Sequence, residues 1–386
     1  MTPLELVFII LAFVFFQTWI VFSYLYHKGF KNLKQDYNYK KRYVSVIVAA
    51  HNEADHLLHL LTSLTNQTYP AEMYEIIIAD DESTDDSRSI ILQFEEKYAN
   101  VKLLEVKGRD QAVSPKKNAL TQAISLSKGD IILTTDADCI VPQHWIESTV
   151  ASFADDTAMV VGYSRTKLRE WRKAPLVQKF EHMDFVATYL VMAGSYTIGK
   201  SFAAIGQNLA YTRDAFDKVG GFGSIKHMLS GDDVNLMQLM RLAGMNIKFN
   251  FSPYSFVYTE PIPNWKMLVN QRTRWASNMK AQRALNPEFF MILVCIVCFY
   301  ICNLALFIIN WKIGLLFFLC KVLIEIELFY MGFPYLKADR KMLFFYPVWQ
   351  VIQPFFLTLT TILGQFNLYR WRGRSPIKGA ILERET

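Results

Sequence analysis

The chain has 386 residues, of which 52% are hydrophobic and 20% are charged, and it contains 29 Phe and 19 Tyr. This composition excludes a disordered chain, and it is more apolar than that of an ordinary soluble enzyme. The formal net charge of +6 would suit a nucleic-acid partner if the basic residues formed a surface patch. Six of them cluster instead behind the first apolar segment, so we predict no nucleic-acid partner.

The first element in chain order is the uncharged apolar segment Leu6–Tyr26. A run of roughly 18 or more apolar residues is long enough to cross a bilayer. The basic flank behind it indicates a cytoplasmic side and an outward N-terminus, and the absence of a basic residue in Met1–Leu6 argues against a cleaved signal peptide. The flank contains Lys28, Lys31, Lys34, Lys40, Lys41 and Arg42, with Asp36 as the single acid among them. We therefore predict a transmembrane anchor over 1–27 and a basic juxtamembrane linker over 28–42.

Strands and helices alternate in the next part of the chain, between about Tyr43 and Asn286. The predicted strands are Val44–Ala49, Glu75–Ala79, Val101–Val106 and Ile131–Thr135, and the predicted helices are Ala54–Thr65, Ser87–Tyr98 and Lys117–Ser127. This order predicts an α/β domain over 43–262 with a mostly parallel sheet and helices on both faces. Open sheets of this kind bind ligands at the carboxyl ends of their strands.

Two aspartates follow the last of these strands, Asp136 and Asp138 in the sequence Thr-Thr-Asp-Ala-Asp-Cys. If the strand alternation continues, both carboxylates point to the same side. Two hard oxygen ligands, completed by substrate phosphates, suit Mg²⁺ or Mn²⁺. An acidic pair in a turn is the simpler interpretation, but a second acidic pair at the end of a neighbouring strand favours the metal site.

That second pair is Asp80-Asp81, which opens the segment Asp80–Asp85. Such a segment is also typical of a helix N-cap, and both roles are compatible if Asp85 caps the helix while Asp80 binds a base or a ribose. Lys116 follows further along, and it is either a solvated lysine or a cation for a diphosphate.

Taken in order, these motifs resemble those of family 2 glycosyltransferases, which are inverting enzymes with the nucleotide-sugar-binding fold called GT-A. The resemblance covers roughly Tyr43–Gln282. The donor-side residues that it implies are Asn52 and Glu53 at the nucleotide, Asp80 and Asp81 at uracil and ribose, Lys116 at the diphosphate, and Asp136 and Asp138 at the metal and the nucleotide-sugar. The segment Ser-Pro-Lys-Lys-Asn departs from the family's glycine-led lysine motif, which leaves Lys116 and Lys117 as alternatives.

The resemblance also implies residues on the acceptor side. Gln207 and Asn208 lie in a segment similar to the family's acceptor segment. Asp232-Asp233 stands where the family has an acidic pair, whose second member, Asp233, would be the general base. Asp232 would raise the proton affinity of its neighbour, or it would cap the predicted helix Val234–Leu242.

Gln271-Arg272-Thr273-Arg274-Trp275 resembles the signature of membrane-bound members, both polysaccharide synthases and enzymes that glucosylate lipids. Arginine binds diphosphate in a planar fork, and Trp275 offers a ring on which an acceptor sugar can stack. An amphipathic interfacial helix over 263–288, with the arginines reaching away from lipid, is compatible with that role.

Three apolar segments follow, which are Phe289–Trp311, Ile313–Phe333 and Met342–Tyr369. We predict that they form C-terminal membrane helices over 289–369. The second segment contains Lys321, Glu325 and Glu327, which we expect to face other helices or a polar path because charges are costly in lipid.

Four single spans would place the basic tail 370–386 outside the cell, where a basic segment is unfavourable. A re-entrant hairpin broken near Gln350, Gln353 and Pro354 would keep the tail in the cytoplasm.

The sequence therefore predicts a multi-pass enzyme of the cell or inner membrane with a cytoplasmic catalytic domain. It would use Mg²⁺ or Mn²⁺ to transfer a sugar from a UDP-sugar, with inversion, to a membrane lipid or a growing glycan, the lipid being favoured. A processive polysaccharide synthase is the alternative, and a catalytically idle nucleotide-sugar-binding subunit is a third possibility. The sequence leaves the oligomeric state open.

Overall fold

The structure is a computed structural model, and it describes residues 2–33, 37–38, 40–108, 113–168 and 170–370. The predicted tail after Arg370, and Lys34 and Asp36 of the predicted linker, lie outside these residues.

The helices and strands are numbered along the whole chain. The helices are α1 (Pro3–Lys31), α2 (Ala54–Thr65), α3 (Ser87–Lys97), α4 (Pro115–Leu126), α5 (Trp145–Ala151), α6 (Leu176–Thr197), α7 (Arg213–Lys218), α8 (Val234–Leu242), α9 (Trp265–Ser277), α10 (Met279–Leu285), α11 (Pro287–Ile309), α12 (Trp311–Leu336) and α13 (Tyr346–Gln365). The strands are β1 (Val44–Ala50), β2 (Tyr74–Asp80), β3 (Val101–Glu105), β4 (Ile131–Thr134), β5 (Cys139–Ile140), β6 (Thr157–Gly162), β7 (Ser164–Thr166), β8 (Leu209–Thr212), β9 (Asn246–Asn250) and β10 (Val257–Thr259).

The chain divides into two compact units. The helical unit contains Met1–Lys34, Pro175–Phe202 and Asn264–Tyr369, and the sheet unit contains Gln35–Ala174 and Ala203–Pro263. The predicted continuous domain over 43–262 is therefore wrong in one respect, because α6 belongs to the helical unit. Its side chains pack within that unit, where Tyr26 donates to the carbonyl of Val191.

The sheet unit is formed around a seven-stranded sheet in the order β3-β2-β1-β4-β8-β6-β9. Strand β8 is antiparallel to β4 and to β6, whereas the other pairings in this sheet are parallel. A smaller sheet has the order β5-β10-β7. The predicted α/β class with a mostly parallel sheet is confirmed.

The bounds of the first strands could be predicted from the local sequence because parallel strands are buried on both faces and therefore form continuous apolar runs. All seven residues of β2 are buried, and β1 is buried at every position but one. Each predicted helix or strand end between residues 43 and 135 falls within two residues of the observed one. The apolar side chains of these strands pack with Leu57, Leu60, Leu61 and Leu64 of α2.

In the helical unit, α1 runs parallel to α12 and antiparallel to α11. Phe16 packs against Phe317 with ring centroids 6.0 Å apart, and Tyr335 donates to the carbonyl of Phe30 at 2.9 Å. At the other end of α1, Asn310 donates to Glu5 at 2.7 Å. Within the described residues, α1 and α11 are the two helices that are long and apolar enough to cross a membrane, judged by length and composition. The prediction of four spanning segments is thus not supported.

The charged residues of α12 divide into two groups. Lys321 is 1% exposed, and its ammonium donates to Glu325 at 2.8 Å and to Gln350 at 2.6 Å. Trp19 donates to the other oxygen of Glu325 at 2.8 Å. The expectation that these charges face other helices is confirmed for Lys321 and Glu325. Glu327 is different in that its side chain is 60% exposed, and it faces His27 of α1 at 3.7 Å.

The predicted hairpin over 342–369 is also wrong. Helix α13 is continuous from Tyr346 to Gln365, with Pro354 inside it. The side chains of Gln350 and Gln353 are bonded to Lys321 and Tyr300 of neighbouring helices, so the polar residues stabilise helix packing instead of marking a break. The predicted interfacial helix 263–288 is divided at Asn278 into α9 and α10.

Candidate active site

The strand order brings the predicted donor residues to one edge of the sheet. Strands β2, β1 and β4 are parallel neighbours, so their carboxyl ends, where Asp80 and Ala50 pair, lie side by side. Strand β8 is antiparallel to β4 and pairs Leu209 with Thr134, which brings its amino end to the same edge. Residues from four strand ends therefore meet there, as expected for an open α/β sheet.

The loops after β1 and β2 are held together by Asn52. Its backbone N–H donates to Ser83 at 2.9 Å, and its side-chain oxygen accepts from the backbone of Thr84 at 2.8 Å. Asn52 has a φ of 54°, a left-handed conformation that asparagine tolerates better than most residues. The side chain that the resemblance assigned to the nucleotide thus positions the loop. Glu53, the other predicted nucleotide residue there, donates its N–H to Ser87 at 2.8 Å.

Asp85 bonds to the start of α3, as expected from the sequence, although the N-cap position itself is Asp86. One carboxylate oxygen accepts from the backbone N–H of Ser87, at the start of α3, at 3.0 Å. The other accepts from Ala54, at the start of α2, at 3.1 Å. One side chain therefore satisfies the amino ends of two helices.

Asp80 does not take part in capping these helices. It is 6% exposed, and its Oδ1 is buried with no hydrogen-bond partner among the described residues. A buried carboxylate oxygen without a partner is costly, and a bound hydroxyl or N–H group would satisfy it. Asp81 is 8% exposed, and its carbonyl lies 2.6 Å from the Nδ1 of His51.

Lys116 lies at the centre of a charged cluster. Its ammonium is 2.8 Å from Asp136 Oδ1 and 2.9 Å from Asp232 Oδ2. Lys117 is completely buried and donates to the carbonyls of Met228 and Ser230. Of the two alternatives left open by the sequence, Lys116 is therefore the one that lies in the site.

The cluster keeps Lys116 and Asp232 charged. Burial opposes the charge on Lys116, but the carboxylates of Asp136 and Asp232 outweigh it and raise the pKa of the lysine. Burial likewise opposes the ionisation of Asp232, but Lys116 and Lys117 lower the pKa of Asp232 below its ordinary value. Asp232 therefore remains a carboxylate.

Asp233 is held by two backbone donors. Its Oδ2 accepts from Gly206 at 2.8 Å, and its Oδ1 accepts from Val234 at the start of α8 at 2.6 Å. Asp233 is thus the N-cap of α8. The alternative prediction that Asp232 caps this helix is wrong. A Cβ at Gly206 would lie in ordinary contact with the same cluster, 3.4 Å from Asp232 Oδ2 and 3.5 Å from Lys116 Nζ.

The environment of Asp233 favours proton uptake. Burial and the neighbouring charge of Asp232 raise the pKa of Asp233 to about 6, although Lys116 and the two backbone donors act in the opposite direction. A carboxylate with such a pKa is ionised at neutral pH and is a stronger base than an ordinary aspartate.

Asp136 and Asp138 lie in the turn after β4, which ends at Thr134, so strand alternation does not orient them. They are nevertheless close enough to interact: burial and the charge of Asp136 raise the pKa of Asp138. No group of three or more His, Cys, Asp or Glu side chains in the described part of the chain is placed to hold a metal ion. Two carboxylates whose charges repel fit a hard divalent cation whose other ligands are phosphate oxygens and water.

Gln207 and Asn208, which the sequence predicted to contact the acceptor, are buried core residues. Asn208 is 2% exposed, accepts from Trp145, and donates to the carbonyls of Tyr163 and Ser255. Gln207 is 7% exposed and donates to Thr259 at 3.2 Å, which leaves its Oε1 buried and unbonded among the described residues. The hydrogen bonds of the Asn208 side chain therefore give it a structural role in the core.

The Gln271–Trp275 motif lies on α9 in the helical unit. Arg272 is 7% exposed and donates from Nε to Asp184 at 2.9 Å and from its guanidinium to Gln271 at 2.6 Å. The same guanidinium stacks on Trp275, 4.2 Å from the ring centroid. Arg272, which was predicted to bind a diphosphate, is thus paired with a carboxylate. It also covers one face of Trp275, the ring on which an acceptor sugar was predicted to stack. Arg274, also on α9, is partly buried.

Asp184 on α6 is a residue that the sequence did not indicate. It is separated from Arg272 by 88 positions, and no local pattern connects the two residues. The signal available in the sequence was an arginine inside an apolar helical unit, which requires a counter-charge from elsewhere.

Replacing Asp184 with alanine is expected to lower the free energy of unfolding by about 3 kcal/mol, because it leaves Arg272 buried without a counter-charge. The control is Asp214→Ala, which breaks an ion pair with Lys218 whose side chains are 74% and 64% exposed. That change is expected to cost less than about 1 kcal/mol. Thermal unfolding of the purified full chain measures both changes, and equal effects would show that the buried pair is dispensable.

The family profile described as glycosyl transferase family 2 matches residues 45–220. This chain carries a family 2 glycosyltransferase domain. The matched range begins in β1 and includes Lys116, Asp136 and Asp138, whereas Asp232 and Asp233 follow it.

Two curated relatives and one solved structure are similar to this chain. The probable glycosyltransferase YdaM of Bacillus subtilis (strain 168) is 28% identical over 60% of this chain and 54% of its own length. The beta-monoglucosyldiacylglycerol synthase of Nostoc sp. (strain PCC 7120) is 29% identical over 61% of this chain and 48% of its own length. The chain thus spans about half the length of these relatives.

The solved structure is the mannosyltransferase PcManGT from Pyrobaculum calidifontis, in complex with GDP-Man and Mn²⁺. It matches with a TM-score of 0.61 at 18% identity and covers 94% of this chain and 98% of its own. At that identity the likeness shows a shared fold, in agreement with the predicted α/β fold class.

Proposed function

We propose that this glycosyltransferase is a metal-dependent inverting enzyme that transfers a sugar from a UDP-sugar to a lipid in the membrane. The observation that carries the proposal is the position of Asp233, whose two oxygens are fixed by the N–H groups of Gly206 and Val234 beside the Lys116–Asp232 pair. A base in such a place is oriented before the substrate arrives.

Asp233 would remove the proton of the acceptor hydroxyl while that oxygen attacks the anomeric carbon. Attack opposite to the leaving diphosphate inverts the anomeric configuration, as in other single-displacement glycosyl transfers. Asp232 remains ionised beside Asp233 and favours the transfer of the proton to it. Lys116 keeps its charge and is within reach of Asp136, so it can also face a diphosphate.

The donor would be bound along the edge of the sheet. Asp80 provides the unbonded, buried oxygen that a ribose hydroxyl or a base N–H would satisfy. Asp136 and Asp138 would hold Mg²⁺ or Mn²⁺, which when bound neutralises the charge that develops on the leaving diphosphate. The fold relative bound to GDP-Man and Mn²⁺ supports this kind of donor and cofactor, although its nucleotide is guanosine.

The pH profile of the reaction is expected to follow Asp233. The proton must be absent for the residue to act as a base, and its pKa is raised to about 6. We therefore expect kcat/KM to be constant above about pH 7 and to fall about tenfold per pH unit below about 6. Initial rates across that range test this, with circular dichroism at each pH to verify the fold. An apparent pKa near that of an ordinary aspartate would contradict the assigned environment.

A membrane lipid is the acceptor class that the chain supports best. Helices α1 and α11 are long and apolar enough to cross a bilayer, and a relative at 29% identity is named beta-monoglucosyldiacylglycerol synthase. We propose that both helices span the cell or inner membrane, with α12 packed along α1 as a third span. An odd number of spans keeps the basic tail on the cytoplasmic side with the catalytic domain.

Purified membranes that contain the chain would test donor and acceptor together. The membranes would be supplied with a panel of radiolabelled UDP-sugars and GDP-sugars, with and without Mn²⁺, and extracted into organic solvent. We expect one UDP-sugar to label a small, solvent-soluble glycolipid. A high-mass polymer would identify a polysaccharide synthase, and the absence of label with every donor would indicate an idle nucleotide-sugar-binding subunit.

A further inference from the structure

A groove of about 520 Å³ lies between α1 and α12 in the helical unit. From α1 it is lined by Ile20 at one end and by Lys28 and Lys31 at the other, with Tyr24 between them. Positions 20, 24, 27 and 31 recur at helical spacing, so one face of α1 supplies them, and roughly 16 Å along the axis separates the first from the last. The groove therefore changes from apolar to basic along its length.

The basic end has an excess of positive charge. Lys28 and Lys31 are exposed, and neither forms a salt bridge within the described part of the chain. The acid in the lining is Glu327, which faces His27 at 3.7 Å. Two lysines thus remain available to an anion from outside the chain.

We propose that this groove binds an anionic glycerophospholipid of the surrounding membrane, with its phosphate at Lys28 and Lys31 and an acyl chain along Ile20 and Ile324. Lysines at the cytoplasmic end of a spanning helix attract anionic headgroups. Tyr24, which is 67% exposed, lies between the two ends, where an amphipathic ring suits the headgroup level of a bilayer.

The proposal is limited to a lipid because exposed lysines alone would hold a free phosphate weakly. The apolar half of the groove adds area that an acyl chain would cover and a free phosphate would not. The inference depends on the proposed membrane location of α1, but it does not depend on glycosyl transfer.

Native mass spectrometry of the full chain in detergent would test the site, with phosphatidylglycerol and phosphatidylcholine as probes. We expect one phosphatidylglycerol to bind at least tenfold more tightly than phosphatidylcholine, and K28Q/K31Q to lose that preference. The charge-matched control is K128Q/K312Q, which removes two lysines outside the groove and should bind as the wild type does. E327Q removes the acid of the lining, so it should bind phosphatidylglycerol more tightly.

Equal affinity for the two lipids, or an unchanged preference in K28Q/K31Q, would overturn the proposal. Displacement of the lipid by glycerol 3-phosphate at equal concentration would also overturn it, because it would show that the acyl chain contributes nothing. The Asp233→Asn chain should bind phosphatidylglycerol like the wild type. Loss of lipid binding and failure of the proposed enzymatic function are therefore separate outcomes.

Discussion

Replacing Asp233 with asparagine is expected to lower kcat by about 10²- to 10⁴-fold, the usual contribution of a general base. Asparagine has nearly the same shape and its oxygen can still accept one backbone N–H. It cannot take the proton of an acceptor hydroxyl, so the chemical step loses its base. Donor binding should change little, because Asp233 is held by Gly206 and Val234 and would not need to contact the nucleotide. Release of nucleoside diphosphate at saturating donor and acceptor measures the effect.

The matched control for this change is Asp217→Asn, at an exposed aspartate on α7 in the same unit. It makes the same chemical replacement and should leave kcat within about twofold of the wild type. If Asp233→Asn also turned over within about tenfold of the wild type, Asp233 would not be the base.

Replacing Asp138 with asparagine is expected to lower kcat/KM by roughly 10²- to 10³-fold, since neutralisation of a leaving diphosphate by a cation is worth several kcal/mol. The burial of Asp138 and the nearby charge of Asp136 raise its pKa, and a bound cation would favour its ionised form. A chelator should remove the activity of the wild type, and Mn²⁺ should restore it.

Asp138→Asn should in addition require more Mn²⁺ for half-maximal activity than the wild type does, because it has lost one of two carboxylate ligands. Asp156→Asn serves as the control, since Asp156 is exposed and accepts from Asn246. Full activity of the wild type after exhaustive chelation would contradict metal dependence.

The placement of the donor-side aspartates at the strand ends could be predicted from the sequence because its signals are local. Asp80 and Asp136 each follow a short apolar strand, and adjacent parallel strands bring their ends together. The sequence left Lys116 and Lys117 as alternatives. The structure distinguishes them, because Lys116 pairs with Asp136 whereas Lys117 is buried against backbone carbonyls.

The contacts that the sequence did not reveal are those between distant segments. The capping of α8 by Asp233 is local, but the bond from Gly206 joins residues 27 positions apart. Arg272 looked available for a diphosphate because its partner, Asp184, lies on a helix 88 positions earlier. The assignment of α6 to the helical unit depends in the same way on contacts with Tyr26, which no periodicity within α6 encodes.

The apolar segments show a further limit of local patterns. Composition located the apolar runs, but the polar residues of the last run were interpreted as a break in a helix. The structure bonds Gln350 to Lys321 and Gln353 to Tyr300, so the same residues hold a continuous helix against its neighbours. A buried polar side chain is ambiguous until its partner is known.

The most direct test of the central claim is an experimental structure of the chain with Mn²⁺ and a non-hydrolysable UDP-sugar, with the anomalous signal of manganese recorded. We expect the manganese peak at Asp136 and Asp138, the uridine at Asp80, and the anomeric carbon on the side of the diphosphate that faces Asp233. A manganese peak away from both aspartates, or a sugar that Asp233 cannot reach, would contradict the proposed active site.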